Sequence, residues 1–217
     1  NGYFLEKKLP LLQEAGCQHV NISLDSLERE RYHQINRRDA FERVFKALKK
    51  AISMDFNVKL NVVVFRGIND GEIHDFIRFA AANDVEVRFL EYMRIGLGNT
   101  SLSKHFMPMS EIVEHIKTHE QLEHLPSPLD ATARTYQTES GARIGFIASE
   151  SQPFCSGCSR LRLTAKGKLR ACIMSEAGLN LRGVSRKDYP KALKQVMALK
   201  PTGRIDSIDQ PMHEIGG

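Results

Sequence analysis

Tryptophan is absent from the 217 residues, aromatic residues make up 7% of them, and cysteine occurs four times. A stacking platform for single-stranded nucleic acid needs recurrent aromatics, so that class of partner has little support. No apolar run approaches the roughly 20 residues of a membrane-spanning helix. A secretory leader, a low-complexity tract and a repeat of fixed period are missing too, which sets the expectation of a bacterial-type, reducing, cytoplasmic compartment and no membrane partner. Four unevenly spaced cysteines argue against a disulfide framework in the same way. The apolar fraction of 41% is that of a globular chain long enough for one domain or two small ones. A net charge of +5 suits a phosphorylated small molecule as well as nucleic acid.

Three of the cysteines fall in Phe154–Cys172, which reads F-C-S-G-C-S-R-L-R-L-T-A-K-G-K-L-R-A-C. Arg160–Thr164 and Lys168–Ile173 are strand-like runs joined by Ala165-Lys166-Gly167, the pattern of a hairpin. Antiparallel pairing would return Cys172 beside the C-x-x-C turn of Cys155 and Cys158. Arg160 and Arg162 alternate along the first strand and so share a face. Three soft ligands beside two planar cations point to a metal centre that also holds an anion. No histidine lies between Cys155 and Cys172, and Cys17 sits far off in an early helix-to-strand turn. Structural zinc takes four ligands, whereas an iron–sulfur cluster is built on cysteine and can leave one iron open. Spacing alone leaves zinc, an iron–sulfur cluster and unligated thiols all open.

The rest of the chain alternates strand and helix. Helical spacing begins near Leu9 and stops at Gly16. His19–Leu24 reads as a strand, and Phe41, Val44, Phe45, Leu48 and Ile52 form a 3.6-residue stripe, with Lys46, Lys49 and Lys50 as its wet side. Asn57–Phe65 is the next strand; its alternation sets Lys59 and Asn61 on one face, the interior if the sheet curls into a barrel. A helix carrying Ile73, Phe76, Ile77 and Ala80 follows, with Asn69 or Asp70 as its cap. Val85–Met93 is a third strand with Glu86, Arg88 and Glu91 as polar members. Such an order implies a parallel sheet with right-handed crossovers, in which Ser23, Asp25, Glu91 and Met93 fall at the functional carboxyl ends of strands. The plain alternative for each is a loop cap.

Beyond Met93 the rhythm changes. A short helix follows a Ser110 cap, a hairpin turns about Gly141, then the cysteine hairpin comes, and a last helix carries Leu193, Val196 and Met197. The change of style sets a domain boundary near residue 100, dividing 1–100 from 101–217. His115 and His119 stand at the i, i+4 spacing of a zinc pair, yet Ile116 stands where the protease motif carries its acid, and both read as surface histidines.

Seven stretches then resemble the radical S-adenosylmethionine family of GTP 3′,8-cyclases (molybdenum cofactor biosynthesis protein A), in that family's order. They are Asn1-Gly2, Asn21–Asp25, Val58–Val63, Gly67–Asp70, Arg88–Met93, Phe154–Arg162 and Gly216-Gly217. The resemblance implies an α/β fold: the C-terminal part of an incomplete, open TIM-like barrel, followed by a small α+β domain with an antiparallel sheet. It implies Cys155, Cys158 and Cys172 as ligands of a 4Fe-4S cluster whose open iron meets guanine. It also implies Lys59, Arg160, Leu161 and Arg162 as GTP contacts, Ser23 and Met93 as contacts of S-adenosylmethionine, and a Gly216-Gly217 tail reaching the active site. A deoxyadenosyl radical would take hydrogen from ribose carbon 3′, and the carbon radical would attack guanine carbon 8. The family's N-terminal C-x-x-x-C-x-x-C motif, which holds the cluster that cleaves S-adenosylmethionine, does not occur in this sequence. The expectation is an N-terminally truncated piece, inactive and poorly soluble alone because a sheet edge is bare. A homodimer and a downstream molybdopterin-precursor enzyme are the partners left open, and nucleic acid is not expected. The rival reading is a zinc-stabilised, non-catalytic nucleic-acid-binding module.

Overall fold

A computed structural model describes residues 1–96, 103–128 and 131–215. By packing, the chain divides into two units, Asn1–Tyr92 with His105–Gln152, and Met93–Lys104 with Pro153–Gly217. This differs from a single cut near residue 100. The physical reason is strand pairing: the hairpin about Gly141 joins the first sheet instead of founding its own.

The first unit is mixed α/β with a mostly parallel sheet. Strands β1 (His19–Ser23), β2 (Asn57–Val63), β3 (Glu86–Leu90), β4 (Leu122–Leu125), β5 (Arg134–Thr138) and β6 (Arg143–Ile147) take the order β1-β2-β3-β6-β5-β4. The first three pairings in that order are parallel and the last two antiparallel. Register carries one apolar row straight across the sheet, Ile22–Leu60–Val87–Ile144, and each of the four is 0% exposed. Burying a side chain of this kind stabilises by about 1.5–3 kcal/mol. Helices α1 (Leu5–Glu14), α3 (Phe41–Ser53) and α4 (Ile73–Asn83) supply further members of this core, among them Leu9, Val44, Leu48, Phe76 and Ile77. The opposite face carries Asn21–Lys59–Glu86–Arg143 in one row and Ser23–Asn61–Arg88–Gly145 in the next. Period-two alternation therefore separates a helix-covered face from a polar one.

Two elements have no strong sequence signal. Helix α2 (Arg29–Asn36) buries only Tyr32, and β4 is a short edge strand with no buried residue. Two expected caps are corrected. Asn69 precedes the turn Asp70–Glu72 but makes no side-chain cap; its amide accepts from the Phe65 N–H and donates to the carbonyls of Asp25 and Val63, at 2.6–2.8 Å. Helix α5 (Met109–Lys117) begins one residue before Ser110, and Glu91 accepts the Met109 N–H at 2.7 Å. A carboxylate at a helix N-terminus is favoured by the unpaired N–H groups and the dipole there.

In the second unit β7 (Arg162–Leu163), β8 (Lys168–Arg170) and β9 (Gly178–Asn180) form an antiparallel sheet, with α6 (Tyr189–Ala198) after it. Leu169, Ala171 and Val196 form its small core, with Leu161, Leu179 and Leu181 packed on it. Gly178 is required there, since a Cβ would lie 2.2 Å from the Leu169 carbonyl oxygen. The α6 stripe is only partly used: Val196 is 0% exposed, but Leu193 is 44% and Met197 39% exposed.

The expected pair of surface histidines proves to be part of a trio. His74 on α4 sits 5.2 Å from His115 and 4.5 Å from His119, ring centre to ring centre. Burial, then the charges of His119 and His115, push the His74 imidazole below its ordinary 6.5; Arg78 acts the same way, against a hydrogen bond to the His115 backbone. The native chain thus refuses a proton that the unfolded chain accepts. Stability should fall as pH drops through 6.5 and level off below the depressed native value. Urea unfolding at pH 7.5 and 5.5 checks this: His74→Gln should shrink the loss between those pH values, and an unchanged loss contradicts it.

Candidate functional site

On the polar face of the first sheet, Lys59 Nζ lies 3.3 Å from Glu86 Oε2, and Arg88 Nε donates to Glu86 Oε1 at 2.6 Å. Glu86 is 8% exposed. Burial would raise its carboxyl, but the hydrogen bond and charge of Arg88 and the charge of Lys59 outweigh it and hold the group below its ordinary range. Lys59 is therefore half of an ion pair. Together the three side chains carry one net positive charge, on the face of the sheet opposite the row Ile22–Leu60–Val87–Ile144. Ser23 is exposed at the end of β1. Met93 is half-buried and belongs to the second packing unit, next to the segment Arg94–Gly96 that pairs with Ile208.

The carboxylates at the strand ends act as ties. Glu91, 2% exposed, accepts the N–H groups of Met109, Glu150 and Ser151 at 2.7–2.8 Å and the Ser151 hydroxyl. Asp25 accepts from the Val63 N–H at 2.9 Å and from Asn36 at 3.5 Å. Burial raises its carboxyl despite these two bonds. Glu72, which sequence reasoning missed, is 2% exposed and gathers the Ser26 hydroxyl, the Leu27 N–H and the Arg31 guanidinium at 2.6–3.0 Å. Its signal is a contact across 46 residues, which no local spacing discloses.

In the second unit the C-x-x-C pair makes one tight turn, with the Cys158 N–H donating to the Cys155 carbonyl at 3.2 Å. The hairpin pairs Arg162 with Arg170 and Leu163 with Leu169, closed by Gly167 at φ +81°. Counted outward from the Arg162–Arg170 pair, Arg160 and Cys172 hold matching places on the two arms, and Cys172 lies near enough to Cys155 to act on its thiol. All three thiols are free. Arg160 lies over the Phe154 ring at 4.9 Å, while Leu161 turns to the small core. Burial first, then the negative fields of Cys172 and Cys158, push the Cys155 thiol up against the pull of Arg204 and Lys200. For Cys158 burial also raises, yet the Arg160 backbone hydrogen bond and the charges of Arg160 and Lys200 win, and its thiol sits below its ordinary value.

Among the described residues no three His, Cys, Asp or Glu side chains are gathered closely enough to ligate a single metal ion. Zinc draws its donors to about 2.0–2.3 Å of one point; a cluster of four irons takes its thiolates at separate corners. Three free thiols, with Cys155 under the charges of the other two and Lys200 and Arg204 near it, fit the wider group in donor chemistry. The Gly216-Gly217 tail lies outside the described residues.

The Radical SAM superfamily model matches residues 1–80 and the Molybdenum Cofactor Synthesis C model residues 85–205. A GTP 3′,8-cyclase of Synechocystis sp. is 41% identical over all of this chain and 66% of its own length. One of Clostridium botulinum is 39% identical over all of this chain and 70% of its own. Another, of Aquifex aeolicus, is 36% identical over 87% of this chain and 59% of its own. This chain belongs to the GTP 3′,8-cyclase family. It spans about two thirds of the first two relatives' length. Radical SAM membership implies a 4Fe-4S cluster and S-adenosylmethionine, and the zinc-stabilised nucleic-acid module is left without support. No helix among the described residues is long and apolar enough to cross a membrane.

The opposed thiol shifts have a direct consequence, because the thiolate is the nucleophile. In the metal-free chain near neutral pH, Cys158 should be alkylated by iodoacetamide faster than Cys155. Peptide mass spectrometry after brief labelling reads the ratio, and equal or reversed rates contradict the field described here.

Proposed function

We propose that this chain supplies the GTP-positioning and C-terminal cluster portion of a GTP 3′,8-cyclase acting in molybdenum cofactor biosynthesis. On this reading the six-stranded sheet is part of an open barrel, and the second unit contains the small α+β cluster domain. Cys155, Cys158 and Cys172 would hold a 4Fe-4S cluster, which when bound supplies an open iron for a purine donor. The feature that supports the reading most is the hairpin register, which returns Cys172 to the C-x-x-C turn beside Arg160 and Arg162.

The chain's own residues then act by charge and position. Arg160 and Arg162 present planar forks suited to phosphate or purine acceptors. Arg160, seated over Phe154, keeps its plane fixed and loses less side-chain freedom on binding. Leu161 anchors the strand between them in the small core. Lys59 would meet GTP as a cation shared with Glu86, so binding must compete with that ion pair. Ser23 and Met93 would contact S-adenosylmethionine. Holding ribose carbon 3′ and guanine carbon 8 in one orientation is the contribution such a frame makes to ring closure. A homodimer, a downstream enzyme that accepts the product and a cytoplasmic location belong to the same proposal.

Calorimetric titration with GTP after anaerobic reconstitution tests it. A charge-assisted hydrogen bond contributes about 1.5–3 kcal/mol, so Arg160→Ala and Arg162→Ala should each weaken GTP binding about tenfold or more at unchanged iron content. Unaltered affinity in either variant removes that arginine from the site.

A further inference from the structure

Lys200 lies just beyond α6, and its backbone N–H closes the helix end on the Met197 carbonyl at 3.2 Å. Its side chain runs back to the cysteine hairpin. Nζ donates to the Arg160 carbonyl at 2.6 Å, to the Ala171 carbonyl at 3.0 Å and to Cys158 Sγ at 3.6 Å. An ammonium has three N–H donors and no acceptor, so every donor of Lys200 is committed to this one hairpin. The two carbonyls come from the two arms of the hairpin, one two residues after Cys158 and the other directly before Cys172. They lie beyond the last ladder pair, where the Arg162–Arg170 pairing has ended. Ala171 is 0% exposed, so its carbonyl has little water to turn to should the lysine leave.

We propose that Lys200 is a positioning residue for the three-cysteine centre: it clasps the open end of the hairpin so that Cys158 and Cys172 stay together, and it donates an N–H to the Cys158 ligand sulfur. This rests on the cluster reading above. Nothing in the spacing F-C-S-G-C-S-R-L-R marks the lysine, which comes 42 residues after Cys158. The strands alone are too short to fix the thiols, since β7 has two residues and β8 three. Hydrogen bonds to cluster sulfurs and nearby charge set the reduction potential. A cation and an N–H at one ligand favour the more negative, reduced form.

The test uses the whole chain, its Lys200→Met variant, and Lys194→Met on the exposed side of α6 as control. In the metal-free proteins, Lys200→Met should speed amide hydrogen exchange at Arg160–Leu163 and Lys168–Cys172, with the control unchanged. After anaerobic reconstitution with ferrous iron and sulfide, Lys200→Met should hold iron less tightly and its cluster should reduce at a more negative potential. Lys200→Gln, which keeps N–H donors and drops the charge, should recover hairpin protection more fully than potential; it also gives the reading if the methionine variant folds poorly. Wild-type exchange, iron retention and potential in Lys200→Met would overturn the proposal. Failure of the unaltered chain to take up iron and sulfide would count against the cluster reading instead, and hydrogen exchange would still decide the clasp.

Discussion

A two-rung antiparallel ladder governs the chemistry of the second unit. Arg162 opposite Arg170 and Leu163 opposite Leu169 fix which residues stand together at the hairpin's open end. A slip of one residue would turn Leu161 and Leu169 from the small core toward solvent and send Arg162 inward. Burial of those leucines therefore sets the register, and the register returns Cys172 to Cys158. The course of the two arms that carry Cys158 and Cys172 is thus set by an apolar face elsewhere on the same hairpin that must be covered.

The first unit follows the same logic on a larger scale. One row of the sheet, Ile22, Leu60, Val87 and Ile144, is sealed beneath helices, and alternation then obliges Lys59, Glu86 and Arg88 to share the other face. Mutual neutralisation makes this tolerable. Lone charges there would lose hydration without compensation, whereas in the cation–anion–cation row Glu86 is matched by a partner on each side. The buried carboxylates Glu91 and Glu72 play a different part, gathering backbone N–H groups from loops at the strand ends. They fix those loops, and nothing about them requires chemistry.

Much of this was legible in the sequence, and the division is physical. Strong local periodicity marked β1, β2, β3, α3 and α4, and the strand–turn–strand pattern around Gly167 marked the cysteine hairpin. Helix α2 left little trace because only Tyr32 is buried along it. The Gly141 hairpin was recognised as a hairpin, but local patterning does not say which sheet receives it, and β6 pairs with β3. Asn69 resembled a cap because its type and position fit one; its amide is spent on Phe65, Asp25 and Val63 instead. Glu72, His74 and Lys200 were missed for one reason: each acts on residues distant in sequence. The resemblance to radical SAM cyclases came from short motifs in order, which depend on chemistry more than on local structure.

On the proposed reading, Cys155, Cys158 and Cys172 hold an iron–sulfur cluster. Iron, acid-labile sulfide and zinc measured on the anaerobically isolated and reconstituted protein, beside Cys172→Ser, test it most directly. The account predicts a brown protein whose bound iron and sulfide are matched, with both lost from Cys172→Ser. A colourless protein carrying zinc, or iron uptake that ignores Cys172→Ser, would contradict it.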